Sequence, residues 1–189
     1  MIMTVKKLLL SSCLLMGSLQ AQNSVGLDVN SDDIELLGSI DLNALIGYAD
    51  STTYSLDINY LRADSKNMTQ FSLLGQNSLQ GVESLSFALG FGSVLASDFL
   101  AFPFILKANY ILPLIDVIPT TSINTSFAYA PKVLSLRDAD NYFEWRLEAD
   151  MEVIYNVHAF AGYRYIDTQY EKFDKTFNKS AYFGLKLNF

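Results

Sequence analysis

The chain has 189 residues, half of them apolar, and its 20 Asp and Glu outnumber 13 Lys and Arg to give a net charge of −7. This acidic balance argues against nucleic-acid binding, which relies on clustered Lys and Arg. The length suits a single domain.

The first segment has the pattern of a secretory signal peptide. Lys6 and Lys7 precede the apolar run Leu8–Met16, and a small-residue cleavage site ends at Ala21. The run is too short to cross a membrane as a helix. We therefore expect residues 1–21 to be removed and residues 22–189 to form the domain. Removal takes away two lysines and no acids, which leaves 11 Lys and Arg against 20 Asp and Glu, a net charge of −9.

A second interpretation of this segment concerns Cys13. The stretch Leu10-Ser11-Ser12-Cys13 has the form of a lipoprotein lipobox, which would make Cys13 a lipidated N-terminus. Cleavage after Ala21 would instead leave a chain without cysteine, and therefore without a disulfide or a thiolate metal site.

Ten segments of the remaining chain alternate apolar and polar residues with the period of a β-strand. They are Val25–Asn30, Ile34–Asn43, Tyr54–Leu61, Thr69–Gln76, Ser84–Gly92, Leu100–Leu112, Ser122–Tyr129, Tyr142–Tyr155, Val157–Thr168 and Ser180–Phe189. The pattern predicts an all-β fold, a transmembrane antiparallel up-and-down β-barrel of about ten strands. The count falls to eight if Val25–Asn30 and one neighbouring segment are not barrel strands.

The eighth segment shows why a membrane barrel is preferred to a soluble one. Its apolar face carries aromatic and aliphatic residues from Phe143 to Tyr155, while its other face carries charges from Glu144 to Glu152. A soluble lipocalin-like barrel would turn its apolar face inward. Aromatic residues near strand ends favour the interfacial girdles of a membrane barrel. They are Tyr54, Tyr60, Tyr110, Tyr129, Phe143, Tyr155, Tyr165 and Phe189.

The last strand has the form of a barrel-closing strand, which bacterial barrel-assembly machinery would recognise. We assign this signal to Tyr182, Gly184, Leu187 and Phe189. With both termini in the periplasm, the connectors Pro131–Asp140 and Gln169–Asn178 would form long external loops. The second mixes aromatic and basic residues that could contact lipopolysaccharide phosphates.

Three stretches resemble a known family. They are Ala161-Gly162-Tyr163-Arg164-Tyr165-Ile166, Tyr129-Ala130-Pro131 and, more weakly, Ser24-Val25-Gly26-Leu27. Together they resemble the YfaZ family of bacterial outer-membrane proteins, mainly over residues 120–189. The resemblance implies a small barrel in the outer membrane and transfers no catalytic residues.

Charged residues on the polar faces would project into the lumen. The predicted network comprises Lys107, Glu144, Arg146, Glu148, Asp150, Glu152, Arg164 and Lys186. A turn centred on Asn156 would place Glu148 directly opposite Arg164, with Asp150 diagonal to it. These charges would either fill a narrow lumen and bond one another, or line a thin cation-preferring pore.

Little in the sequence points to catalysis. His158 is the single histidine. It could act as the general base of a lipid-modifying enzyme, which is the third functional hypothesis. A transition-metal site is not expected from one histidine. Asp32-Asp33 lacks the ligand spacing of a calcium loop and predicts a hairpin turn. We predict a monomeric outer-membrane barrel with a mostly plugged polar lumen, without cofactor or enzymatic activity, in a structural or surface-interaction role. A narrow cation channel is the alternative.

Overall fold

A computed structural model of the protein describes residues 23–46, 52–63, 66–97, 99–114, 119–170 and 173–189. The predicted signal peptide, Cys13 and Gln22 lie outside the described residues. Among the described residues, no helix has the length and apolar character needed to cross a membrane.

Ten antiparallel strands form a closed barrel wall, and two short strands are attached to it. The wall consists of β1 (Ser24–Val29), β2 (Asp33–Asp41), β3 (Thr53–Ala63), β4 (Lys66–Leu79), β5 (Val82–Ala96), β7 (Phe104–Ile111), β8 (Thr121–Ala130), β10 (Ala139–Ile154), β11 (Val157–Tyr170) and β12 (Phe173–Asn188). The short strands are β6 (Phe99–Ala101) and β9 (Ser135–Arg137). Each wall strand pairs with the next one along the wall, and pairing of β1 with β12 closes the cylinder.

The ten-strand prediction is confirmed and the eight-strand alternative is excluded. Nine predicted segments each lie on one wall strand, while Leu100–Leu112 spans β6 and β7. Pro103 interrupts that segment because proline has no N–H for the ladder. Its carbonyl still accepts a hydrogen bond from Gly92 N, at 2.9 Å, which holds the interruption against β5.

The outer face of the wall is apolar, as the alternation predicts. Leu89 and Phe183 are 65% and 64% exposed, and they belong to a continuous set of exposed apolar side chains around the barrel. An aromatic row crosses consecutive strands on this face; it consists of Phe91, Phe104, Tyr129, Phe143 and Tyr165. The row has the character of an interfacial girdle of a membrane barrel.

The two ends of the barrel differ, and we call the end that carries Asn23 and Phe189 the lower end. There, Asn23 N donates to Phe189 O at 3.0 Å and Phe189 N donates to Asn23 O at 2.9 Å. At the opposite, upper end, β11 ends at Tyr170 and β12 begins at Phe173. A single-turn helix, α1 (Asn43–Ile46), lies in the lower connector between β2 and β3.

The predicted external loops differ from the observed connectors. Gln169–Asn178 is mostly strand, because Tyr170, Phe173, Thr176 and Phe177 have side chains that favour extended backbone. Within Pro131–Asp140, a 3₁₀ turn (Lys132–Leu134) and β9 are folded against β6. Two lower connectors, 42–52 and 112–120, are long as well. Loop length therefore does not establish which end faces outward.

The core lies inside the upper part of the barrel. Its members that are shielded most completely are Val94, Phe99, Ala101, Ala130 and Tyr142, each 0% exposed. We call these five residues the upper apolar cluster. The rings of Phe99 and Tyr142 lie 6.0 Å apart between centroids. A polar inward face was predicted, but near the upper end the inward positions are apolar and pack together.

Candidate functional site

Directly below the upper apolar cluster lies a set of charges, Asp28, Glu35, Glu144, Arg146 and Arg164, of which all but Arg146 are buried; we call it the central ionic layer. Arg146 donates to both oxygens of Glu35, from Nη1 at 2.6 Å and from Nη2 at 2.8 Å. Arg164 Nη1 also donates to Glu35 Oε2. Both Glu35 and Arg164 have fully buried side chains. One carboxylate on β2 therefore holds two guanidinium groups from β10 and β11 across the lumen.

Arg164 extends this layer toward the seam between β12 and β1. Its Nε donates to Asn178 Oδ1 at 3.0 Å, and its Nη1 lies 3.3 Å from Asp28 Oδ1. Asn178 in turn donates to Asp33 Oδ2 at 2.7 Å. The guanidinium also stacks on Tyr182, with its carbon 4.9 Å from the ring centroid. These contacts join four strands, β1, β2, β11 and β12.

Glu144 connects the central ionic layer to the upper apolar cluster. The hydroxyl of Tyr142 donates to Glu144 Oε2 at 2.6 Å, and Arg146 Nε donates to Glu144 Oε1. Tyr142 thereby satisfies its one polar atom while its ring stays in the cluster. The two layers are continuous through this residue.

The predicted register of β10 and β11 is wrong by two residues. Arg164 lies opposite Arg146, and Glu148 lies opposite Gly162. The turn has two residues, Tyr155 and Asn156, and the ladder is irregular between Glu152 and Ile154. The two-residue turn and the unpaired residue between Glu152 and Ile154 together shift every β10–β11 pair above the turn. Arg164 consequently bonds Glu35 rather than Glu148 or Asp150.

Below the central ionic layer, the lumen widens into a cavity of about 740 Å³. This lower cavity reaches Asn156, Asn188 and Thr120 at the lower end. Hydroxyl and amide side chains dominate its wall. The charged residues that line it are Asp41, Asp57, Glu83, Glu144, Glu148, Asp150, Glu152, Lys107, Arg146 and Lys186.

Three of these carboxylates have a basic partner. Lys107 Nζ lies 2.7 Å from Asp57 Oδ2, and Lys186 Nζ lies 2.6 Å from Asp150 Oδ2; Glu144 bonds Arg146. By contrast, Glu148 accepts from the Tyr182 hydroxyl at 3.2 Å, and Glu152 accepts from the backbone N–H of Asn156 at 2.9 Å. The structure thus places all eight predicted network residues in the lumen, divided between the ionic layer and the cavity.

His158 lies in the cavity wall with both ring nitrogens engaged. Nδ1 is 2.6 Å from Asp150 Oδ1, and Nε2 is 3.0 Å from Asn188 Nδ2. A ring protonated on Nδ1 donates to Asp150 and accepts from Asn188. This arrangement fixes the ring between two neighbours rather than presenting a free nitrogen to a nucleophile.

The acidic pair at the upper end forms the expected hairpin turn. Asn30 Oδ1 accepts from the backbone N–H of Asp32 at 2.8 Å and of Asp33 at 2.9 Å. Within the described ranges, no three His, Cys, Asp or Glu side chains converge as metal ligands would.

Asp28 in the central ionic layer, and three residues that bond to this layer, were not predicted as part of the lumen network. Asp28, Asp33, Tyr142 and Asn178 all contribute partners to it. Alternation places Asp28 on the inward face of β1, opposite Glu35, and could have indicated it. The partners of Arg164 across the seam depend on barrel closure, which no local pattern encodes.

The predicted assembly residues lie on both faces of β12. Tyr182 points inward and is buried, whereas Leu187 and Phe189 are exposed on the outer face. Gly184 lies where β12 is crowded, since a Cβ there would clash with Leu27 O and Phe160 Cζ.

No family model and no curated protein matches this chain. Several solved structures are similar to it. One described as "Bacterial polysaccharide outer membrane secretin" has 13% identity and a TM-score of 0.49, with 88% of this chain and 68% of that chain covered. Another described as "KdgM porin" has 12% identity and a TM-score of 0.47, covering 89% and 99%. The structure titled "NanC porin structure in rhombohedral crystal form" has 11% identity and a TM-score of 0.44, covering 89% and 98%.

Proposed function

We propose that this chain is an integral outer-membrane barrel whose lumen does not conduct, with a structural or surface-interaction role and no catalytic activity. The observation that carries the proposal is the stack of two packed layers inside the wall. The upper apolar cluster contains side chains with no exposed surface, and the central ionic layer below it has its charges bonded across the lumen. An ion would have to displace both.

The outer-membrane location rests on the exposed apolar wall and its aromatic row. In this location the lower end would face the periplasm and the upper hairpins the cell exterior. The partners we propose are membrane lipid and lipopolysaccharide at the upper rim, and the barrel-assembly machinery through Tyr182, Gly184, Leu187 and Phe189. The chain would act as a monomer, since the wall is already closed on itself.

A narrow cation-preferring channel is the second candidate. It is favoured by the carboxylates of the lower cavity, which outnumber the basic side chains there. Such a channel would require a path through the two layers above the cavity.

Planar-bilayer conductance separates the two candidates. The barrel is refolded in detergent, its folding is checked by a heat-dependent gel shift, and it is compared with the Glu148→Gln variant. We expect silent bilayers from both proteins. Discrete cation-selective steps that decrease in Glu148→Gln would contradict the closed lumen and establish the channel.

A further inference from the structure

The lower cavity has the chemistry of a binding site, and its inner part contains polar groups without partners. Gln70 and Ser72 are 7% and 4% exposed, and both line the cavity. Neither side chain forms a hydrogen bond to any other described residue. Because these largely buried side chains lack protein partners and face the cavity, their amide and hydroxyl are available to bond a molecule that occupies it. Asn59, directly opposite Gln70 across the β3–β4 ladder, faces the same space.

The charge of the wall selects the class of ligand. Seven carboxylates line the cavity against three Lys or Arg side chains and one histidine. After the three ion pairs are set aside, Asp41, Glu83, Glu148 and Glu152 have no basic side chain within ion-pair distance in the described part of the chain. The cavity is therefore suited to a cation.

The spacing of these carboxylates favours an extended cation over a metal ion. They do not converge on one point, and no metal-ligand group is found among the described residues. Glu148 and Glu152 project from the same face of β10, and a rise of about 3.3 Å per residue separates them by roughly 13 Å. An extended triamine spans such a distance, with its amines donating to carboxylates at both positions.

We propose that the lower cavity binds a linear polyamine, with one terminal ammonium group at the mouth near Glu152 and the other at the level of Glu148, on the side of the cavity that Gln70 and Ser72 line. The amide oxygen of Gln70 and the hydroxyl of Ser72 accept N–H bonds from the inner end of the ligand. Binding requires only an open lower end, so it does not depend on whether the upper layers conduct.

Calorimetric titration of the refolded barrel with spermidine tests this site. We expect saturable binding that weakens about tenfold in Glu148→Gln, because one charge-assisted hydrogen bond is lost. Gln70→Leu should weaken binding several-fold without any change in net charge. The matched control is Asp138→Asn, which removes one negative charge at the upper end and should leave binding unchanged.

Three results would overturn the site. The first is no saturable heat from a barrel that passes the gel-shift test. The second is equal weakening in Asp138→Asn and Glu148→Gln, which would indicate general attraction to an acidic protein. The third is binding of the neutral sugar maltose as tight as that of spermidine, which would show that hydroxyl groups and not charge are recognised.

Discussion

Arg164 links its own strand, β11, to three other strands of the barrel. It is fully buried, and its guanidinium contacts Glu35, Asp28 and Asn178 on three other strands. Its removal would leave the buried carboxylate of Asp28 without a guanidinium at ion-pair distance, while Glu35 would keep Arg146. Loss of a buried counter-charge is far more costly than the loss of an exposed ion pair.

We therefore expect Arg164→Met to lower the free energy of unfolding by about 3–5 kcal/mol. The control is Lys107→Met, whose ion pair with Asp57 is partly exposed and should contribute no more than about 1 kcal/mol. Urea unfolding in lipid vesicles, followed by the fluorescence of the single tryptophan, Trp145, measures both. Equal losses in the two variants would refute the central role of Arg164.

Gly184 offers a second test on the same scale. Alanine there would place its Cβ against the carbonyl of Leu27 and the ring of Phe160, so β1 and β12 would have to separate. A Cβ added at Gly38 would have Ile58 O as its nearest atom, 3.6 Å away, which leaves room for it. Gly184→Ala should cost about 1–3 kcal/mol and Gly38→Ala much less.

The fraction of heat-modifiable protein after refolding, together with the urea midpoint, reports this difference. A Gly184→Ala barrel that refolds as completely as Gly38→Ala would show that the seam between the first and last strands tolerates a side chain.

On the scale of elements, the alternation in the sequence was enough to predict where the wall strands lie and which of their faces points outward. It did not suffice for register, because the irregularity near Glu152 shifts the ladder without disturbing the alternation above it. It also could not show that inward positions near the upper end, such as Val94 and Tyr142, pack as an apolar cluster. Those contacts join strands far apart in the chain and exist only once the cylinder closes.

The conformation of the β10–β11 turn depends on one residue, Asn156. Asn156 has φ 63°, in the left-handed region that asparagine and glycine tolerate. Asn156→Gly should retain stability, whereas Asn156→Val should lose about 1–2 kcal/mol because a β-branched side chain is strained there. The hydrogen bonds of Asn156 to Glu152 and Asn188 use its backbone, so they survive both changes. Equal urea midpoints for the two variants would show that the turn is not held by this conformation.

On the scale of the whole molecule, the interior is graded from one end to the other. Apolar side chains fill the upper end, bonded charges occupy the middle, and a polar cavity opens at the lower end. A barrel built in this way would present different chemistry to the two sides of a membrane, and the lumen that we propose to be closed would block passage between them.

The most direct test of the proposed closed lumen is labelling of single cysteines in sealed proteoliposomes with a small sulfonated maleimide that cannot cross lipid. One variant, Asp32→Cys, reports the exposed upper turn, and the other, Ser122→Cys, reports the wall of the lower cavity. Both are prepared without Cys13 and reconstituted under the same conditions. A closed lumen predicts complementary labelling, so that the fraction of Ser122→Cys that reacts equals the fraction of Asp32→Cys that does not. Complete reaction of Ser122→Cys in vesicles where a substantial fraction of Asp32→Cys also reacts would mean that the reagent enters from both ends and would contradict the account.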